Sequence, residues 1–128
     1  MTKNASDFYR EHLDRCWPLL KKSIDYYGPT HTKEHLWQMI TAGQAQFWPM
    51  KESAMMTLLD AHPTGFVEGR AWLAGGKLEE ILQWEPHMSQ WAKEAGCHRV
   101  SVVGRRGWGK VLPEHGYKEL VTTYAKDF

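Results

Sequence analysis

The N-terminal third of the chain alternates apolar and polar residues with the period of an α-helix. Apolar side chains recur there at steps of three and four residues: Leu13, Trp17, Leu20, Ile24 and Tyr27. Pro18 interrupts this stripe and predicts a kink or a break, because proline lacks a backbone donor and crowds the preceding turn. Ser6 is the expected N-cap, and Thr30 or Thr32 is expected to cap a second helix that stops at Gly43.

The pattern then changes to short apolar runs separated by turn residues, which is typical of β-strands. Residues 45–50 and 53–59 flank a polar turn and predict a hairpin, and residues 66–74 predict a third strand. Residues 77–95 return to helical spacing. Pro86 is predicted to divide this helix, because the residue before a proline avoids the α region.

The C-terminal part continues the alternation of strands and helices. A buried strand is predicted at 99–103, a short helix around 108–114, and a final strand from Lys118 to about Ala125. The complete order is α-α-β-β-β-α-β-α-β. A meander followed by a strand–helix–strand unit predicts an α+β fold, with a mixed, mostly antiparallel sheet flanked by helices.

Composition and charge fit one ordinary globular domain. The chain has 128 residues, 42% of them hydrophobic, and a net charge of +1. A charge this small creates no field that would attract nucleic acid or an anionic membrane. Polar residues begin the chain and no apolar run has membrane-spanning length, so we expect neither a signal peptide nor a membrane span. We predict a single domain over residues 1–128, helical in 1–43, with the sheet and the remaining helices in 44–128.

The string Gly104-Arg105-Arg106-Gly107 carries the first candidate chemistry. Two guanidinium groups and a backbone nest are suited to a phosphate. The alternative is a strand-to-helix corner with solvated arginines, which short glycine and arginine strings often form. Trp108, directly after it, either stacks on a ligand ring or anchors the short helix to the core.

Two further strings have a chemical and a structural interpretation. His31, Glu34 and His35 spell H-x-x-E-H, the inverted zinc-peptidase string. They stand at the start of a helix, where histidines are usually solvated, and no third ligand is evident. Cys97 and His98 are adjacent on a predicted strand, so their side chains point to opposite faces. A buried structural Cys97 is therefore favoured over a nucleophile paired with a histidine.

Large apolar side chains are unusually frequent for a domain of this size. The sequence contains seven tryptophans and six methionines. We expect most of them in the core and a few in an exposed apolar patch, which is typical of a protein–protein contact. No basic stripe with interleaved aromatic residues is present, so the sequence offers no clear nucleic-acid site.

The order of elements and two C-terminal stretches together resemble the GNAT family of N-acetyltransferases. "WAKEAGCHRVSVVG" resembles that family's helix end, glycine turn and following strand, and "GWGKVLPEHGYKE" resembles its last helix. The combination of "FWPMKESAMMT", "AGGKLEEI" and "GRRGWGKVLPEHGY" looks most like small GNAT-like proteins of tailed bacteriophages, some of which are internal virion components. The resemblance covers residues 47–128. It implies a location in the host cytoplasm or the virion, with other phage or virion proteins, or a second copy, as partners.

The resemblance also implies where a cofactor would bind. The family holds the pyrophosphate of acetyl-CoA on backbone N–H groups of a loop before the long helix. The matching residues here are Gly75, Gly76 and Lys77, with Arg105 and Arg106 as further phosphate ligands. The full glycine pattern of the family's loop is absent.

The catalytic positions depart from the family's pattern as well. Leu112 stands where the family often has a tyrosine that serves as general acid, and Arg105 stands where an asparagine is common. Glu68 is the candidate base and would relay a proton through water. The alternative for Glu68 is an ion pair with Arg70, since residues i and i+2 of a strand share a face.

These observations leave two hypotheses and do not decide whether the chain is an enzyme. The first is a diverged, non-catalytic GNAT-fold protein that acts through protein contacts in a virion or its assembly and needs no cofactor. The second is an active acetyl-CoA-dependent N-acetyltransferase with an amine as acceptor, in which Glu68 is catalytic. A zinc hydrolase built on His31, Glu34 and His35 is a distant third.

Overall fold

The computed structural model describes residues 4–128 as three helices and a four-stranded sheet. The helices and strands, in chain order, are α1 (Ala5–Tyr27), α2 (Lys33–Thr41), β1 (Gln46–Pro49), β2 (Ala54–Ala61), β3 (Val67–Gly75), α3 (Leu78–Glu94) and β4 (Arg99–Val102). The strands lie in the order β1-β2-β3-β4. The first three form an antiparallel meander, and β4 pairs parallel to β3. The predicted α+β class and mostly antiparallel sheet are confirmed.

Both long helices pass through their prolines without ending. α1 is continuous across Pro18, and α3 is continuous across Pro86. A kink or a break was predicted at the first proline, and the helix is not broken there. The predicted division at the second proline is wrong. Each proline occupies an exposed position. Burial of apolar side chains on both sides offsets the cost of a proline, about 3 kcal/mol in a helix interior.

The helix starts follow the rules of capping. Asn4, not the predicted Ser6, caps α1 by accepting a hydrogen bond from the backbone N–H of Asp7 at 2.9 Å. The prediction that Thr32 caps α2 is confirmed. Its hydroxyl accepts from the N–H of His35, and Nδ1 of His35 accepts from the N–H of Thr32, which forms a reciprocal capping box.

The sheet separates two apolar cores. α1 and α2 cover one face, where the buried residues are Leu13, Cys16, Leu20, Ile24, Leu36, Ala45, Ala54, Met56 and Leu73. α3 covers the other face, where the buried residues are Met50, Met55, Ala71, Ile81 and Met88. Ala54, Met55 and Met56 alternate between the two cores along β2, which is the period-2 pattern of a strand covered on both faces.

The tryptophans lie at the borders of these cores. All seven are half-buried. The predicted exposed patch of tryptophan and methionine is therefore wrong for the part of the chain that the structure describes. The large apolar side chains that are exposed belong to other residues: Phe8, Tyr9, Tyr26, Tyr27, Leu59, Leu78, Val103, Leu120, Val121, Tyr124 and Phe128.

The C-terminal part differs most from the sequence-based expectation. Two short 3-10 turns, Arg106–Lys110 and Leu112–His115, replace the predicted α-helix around 108–114. Gly116, with φ +88°, ends the second turn. The predicted strand from Lys118 to Ala125 is not formed, because no neighbouring strand pairs with it, and residues 118–128 are all exposed. No helix within residues 4–128 is long and apolar enough to cross a bilayer.

Candidate functional site

The ends of β3 and β4 bring most of the candidate residues to one end of the sheet. The parallel ladder runs from Glu68 opposite Arg99 to Ala71 opposite Val102, and β3 then continues without β4 as far as Gly75. Because parallel strands end at the same edge, the Gly75–Lys77 loop and the Arg105–Arg106 segment both follow this end. Glu68 lies at the opposite end of β3, about 23 Å from Gly75 at the usual rise per residue.

Glu68 is the centre of a charged network at that opposite end. Its side chain is 3% exposed. Oε2 accepts from Nε of Arg99 at 2.8 Å. Oε1 contacts an Nη of Arg70 and Nε2 of His62, each at 3.0 Å. The predicted ion pair between Glu68 and Arg70 is confirmed, and Arg99 and His62 enlarge it.

This network holds Glu68 as a carboxylate. Burial alone would raise the pKa of Glu68, but hydrogen bonds from Arg99, His62 and Arg70 outweigh burial and lower the pKa to about 2. A general base works best with a pKa near the working pH. All the donors around Glu68 are side chains of the protein itself. Glu68 therefore has a structural role, which is to hold β3 and β4 together.

The two glycines of the candidate loop are packed against backbone. A Cβ on Gly75 would overlap the backbone carbonyl of Leu19 in α1. Gly76 has φ +114°, and a Cβ there would overlap the backbone of Ser53 and the carbonyl of Glu52. Both positions therefore need glycine for a close approach within the protein. The pair of glycines, which suggested an anion cradle, has a packing explanation.

Lys77 is bound to the turn between β1 and β2. Its ammonium Nζ lies 2.8 Å from a carboxylate oxygen of Glu52. Its backbone N–H donates to the hydroxyl of Ser53 at 2.8 Å. Two contacts therefore tie the start of α3 to this turn, and both of the groups that Lys77 could offer to a phosphate have partners inside the chain.

The first turn of α3 carries negative charge. Glu79 and Glu80 lie in it, and the helix has no side-chain cap. Glu80 accepts a hydrogen bond from the backbone N–H of Glu52 at 2.9 Å. Carboxylates stabilise a helix N-terminus without any ligand and repel a pyrophosphate that approaches it.

The unpaired edge at the end of β3 is covered by α1. Beyond Ala71, where β4 has separated, the backbone N–H of Ala74 donates to the hydroxyl of Ser23 in α1 at 3.4 Å. Trp72 is the extra residue of a bulge here, since Ala71 pairs with Thr57 and Leu73 with Met56. The N–H of Ala74, at the part of β3 that β4 does not cover, is therefore satisfied within the chain.

The two candidate arginines lie in the segment after β4. The guanidinium of Arg105 stacks over the ring of Tyr26 in α1, 4.8 Å from its centroid, and Arg106 is exposed. Trp108 is half-buried and packs against the core under α3, with its indole over Gly104. The expectation that Trp108 anchors this segment is confirmed.

Tyr117 makes a contact that the sequence did not predict. Its hydroxyl donates to a carboxylate oxygen of Glu85 in α3 at 3.0 Å, and Ser89 donates to the same oxygen at 2.5 Å. Burial, and then the charge of Glu85, raise the pKa of Tyr117. Leu112, half-buried in the second 3-10 turn, has no acidic proton to offer. Gly116-Tyr117, a glycine and an aromatic residue within the stretch that resembles the family's last helix, was the signal that could have marked Tyr117.

Each of the three residues of the H-x-x-E-H string contacts a different part of the protein. Nδ1 of His31 lies 2.7 Å from the hydroxyl of Thr30, and its ring packs edge-on against Trp72. His35 belongs to the α2 capping box, and Glu34 forms an ion pair with Arg10. No group of three or more metal-ligating side chains is assembled among residues 4–128.

Neither thiol lines either of the described cavities. Cys16 is buried and Cys97 is half-buried, which corrects the expectation of a fully buried Cys97. A cavity of about 270 Å³ lies beside α2, lined by Thr30, His31, His35, Gln38, Met39 and Gln44. Another of about 380 Å³ lies between α1 and α2, lined by Ser6, Tyr9, Trp37, Ile40, Thr41 and Phe47.

Comparison with known proteins identifies the fold. A search of protein-family models and a search of curated proteins found no match. The solved structure of an acetyltransferase from Trypanosoma brucei has a TM-score of 0.65 at 9% identity and covers 98% of this chain and 96% of that chain. The structure of a probable acetyltransferase gives 0.67 at 16% identity, over 92% and 93%. The chain has the GNAT fold. The low identities establish the fold alone.

The residues of this site do not fit acetyl-CoA. In the loop where the resemblance placed its pyrophosphate, Gly75 packs on α1, Gly76 packs on Ser53, and Lys77 pairs with Glu52. The remaining backbone donors of the first turn of α3 stand beside Glu79 and Glu80. A ligand with several negative charges would have to displace these contacts and overcome the repulsion of two carboxylates.

Proposed function

We propose that this chain is a non-catalytic protein of the GNAT fold that acts through contacts with other proteins. The observation that carries the proposal is the covered end of β3. Gly75 packs against Leu19, and the N–H of Ala74 donates to Ser23. α1 therefore occupies the surface beside the loop that would receive the cofactor.

The catalytic groups support the same proposal. Glu68 is held as a carboxylate by Arg70, Arg99 and His62, at the far end of β3 from the loop. Leu112 replaces the acid that the resemblance leads one to expect. The resemblance to small GNAT-like phage proteins makes a virion, or its assembly in the host cytoplasm, the setting that we propose.

Calorimetric titration with acetyl-CoA, and separately with CoA, tests the proposal. We expect no saturable heat up to millimolar cofactor and no shift of the thermal midpoint. A known acetyltransferase titrated with the same stocks is the control for cofactor quality. A Kd in the micromolar range would contradict the proposal and would establish a cofactor site.

The proposed role in a virion can be tested separately. Mass spectrometry of purified particles, compared with the lysate from which they were prepared, should find the chain retained at a constant number of copies per particle. A chain that is abundant in the lysate and absent from particles at every stage of assembly would contradict the role in a virion.

An acetyl-CoA-dependent N-acetyltransferase is the second candidate, favoured by one specific observation. α3 begins without a side-chain cap, at the same end of the sheet as Arg105 and Arg106. An uncapped helix N-terminus near cations is a common anion site. The same titration distinguishes the candidates. If binding is found, Arg105→Ala and Arg106→Ala should weaken it while Lys93→Ala, at an exposed position in the last turn of α3, leaves it unchanged.

A further inference from the structure

The two edges of the sheet differ in their protection against pairing. β1 forms one edge and ends at Pro49, which has no N–H to donate to a further strand. β4 forms the other edge and consists of Arg99, Val100, Ser101 and Val102. Within the described residues, β4 pairs with β3 on one side and with no strand on the other. Its free edge carries no proline, one of the features that keep an edge strand from further pairing.

A segment suited to that edge lies in the same chain. Residues 118–128 are exposed at every position and form neither helix nor strand. The side chains of Val121 and Tyr124 are 82% and 87% exposed. With Thr122 and Thr123 between them, they form a run of β-branched and aromatic residues that is typical of strands. Both side chains are therefore accessible to a partner.

The start of this segment is fixed on the α3 side of the molecule. The hydroxyl of Tyr117 donates to Glu85, so the segment leaves the domain from a defined point. Beyond that point it makes no ladder with β4 of its own chain. One chain therefore presents both halves of a strand pairing, a free edge at 99–102 and an unpaired strand-prone segment at 118–125.

We propose that residues 118–125 pair with the β4 edge of a second copy, and that the exchange is reciprocal. Reciprocal pairing forms a closed dimer of two chains. In that dimer the β4 edge of each copy is paired with the C-terminal segment of the other. Addition of an extended segment to a sheet edge is a general mode of recognition, in which the backbone supplies the affinity. A second copy is favoured over another protein because both complementary parts belong to this chain. The inference does not depend on whether acetyl-CoA binds.

Sedimentation velocity of the full chain, over micromolar to submillimolar concentrations, is the first test. We expect a concentration-dependent dimer, and a monomer when the chain is shortened to end at Tyr117. Circular dichroism of the shortened chain checks that the domain remains folded. A full chain that stays monomeric throughout, or a dimer that persists without residues 118–128, would overturn the proposal.

Proline substitutions provide a test that leaves the chain at full length. Neighbouring N–H groups of a strand point to opposite sides, so either Thr122→Pro or Thr123→Pro must remove a ladder donor. At least one should weaken the dimer tenfold or more, while Thr122→Ala and Thr123→Ala should have little effect. Two proline variants that dimerise like the parent chain would rule out pairing by this segment.

Isotopic mixing distinguishes exchange from pairing within one chain. A photo-reactive benzoylphenylalanine at position 124 is placed in chains of natural isotope content, and these are mixed with chains labelled with ¹⁵N. Exchange predicts cross-linked peptides that join position 124 of a light chain to residues 99–102 of a heavy chain. Cross-links confined to light chains, or mapped elsewhere, would contradict the proposal.

Discussion

Glu68 and Arg99 face each other across the parallel pair of β3 and β4, and Nε of Arg99 donates to Oε2 of Glu68 at 2.8 Å. The two residues are also register partners, so the ion pair and the ladder join the strands at one point. Arg70 and His62 complete the set of donors around a carboxylate that is 3% exposed. We therefore expect Glu68 to stabilise the folded protein.

Glu68→Gln should destabilise the protein by about 2–4 kcal/mol at pH 7, since it removes the buried carboxylate that the guanidinium groups of Arg70 and Arg99 share. Urea denaturation measures the change. Glu114→Gln, at an exposed position in the second 3-10 turn, is the matched control and should be neutral. Equal unfolding midpoints for the parent chain and Glu68→Gln would contradict the assignment.

The same carboxylate predicts how stability changes with pH. The pKa of Glu68 is about 2 in the folded protein and 4.5 ordinarily. The unfolded chain therefore binds the proton first, and the contribution of Glu68, present above about pH 5, is lost as the pH falls toward 2. Its full size is about 3 kcal/mol at 1.36 kcal/mol per pKa unit. Denaturation at a series of pH values should show a shallower acid decline for Glu68→Gln, and parallel profiles would refute the pKa.

Gly75→Ala should destabilise by about 2–3 kcal/mol, because its methyl group meets a backbone carbonyl that cannot rotate away. Gly109→Ala is the control, since a Cβ there has no atom within 4 Å. Thermal and urea unfolding of both variants measure the difference. Unchanged stability of Gly75→Ala would show that the glycine is kept for a reason other than its contact with Leu19.

Trp108→Ala should destabilise by about 2–3 kcal/mol, below the range for a fully buried tryptophan because the side chain is half-buried. Its indole packs on the core under α3, so truncation removes contacts and leaves a cavity. Urea unfolding followed by far-ultraviolet circular dichroism is suitable, since the substitution changes the fluorescence. A midpoint equal to that of the parent chain would remove Trp108 from the core.

Tyr117→Phe should cost about 1 kcal/mol, the usual net value of one hydrogen bond. It removes the donor at 3.0 Å from Glu85 and retains the ring. Tyr124→Phe, at an exposed position, is the control. Because burial raises the pKa of Tyr117, its phenol should ionise at a higher pH than a free tyrosine, and a parent-minus-variant ultraviolet titration measures this. Ionisation of Tyr117 at the ordinary pH of a free tyrosine would contradict the contact.

Local pattern was sufficient to predict most of the elements. Apolar spacing predicted α1 and α3, and Thr32 marked the start of α2, because capping and periodicity depend on near neighbours in the sequence. The prediction of a strand at 118–125 was wrong because a strand depends on a distant partner as well as on near neighbours. Strand propensity is also local, but a strand forms only beside another strand, and the sequence alone does not say which.

The candidate site could be predicted less well than the fold. Gly75 and Gly76 suggested an anion-binding loop because glycine lets another group come close to the backbone. The sequence does not reveal whether that group belongs to a ligand or to the protein itself. Their neighbours, Leu19 and Ser53, come from distant parts of the chain. For Glu68 the sequence offered Arg70, two residues away, but Arg99 lies 31 residues further on and becomes a partner only through the parallel pairing.

The separation between Glu68 and Arg99 also bears on the order of folding. The meander β1-β2-β3 joins consecutive segments, which can meet early at a low cost of loop closure. β4 can join only after the chain has crossed the sheet through α3, so its docking is expected late on the folding path. Glu68→Gln should then accelerate unfolding and leave the folding rate nearly unchanged, a φ-value near zero. The parallel joint would thus set the lifetime of the folded domain more than the speed with which it forms.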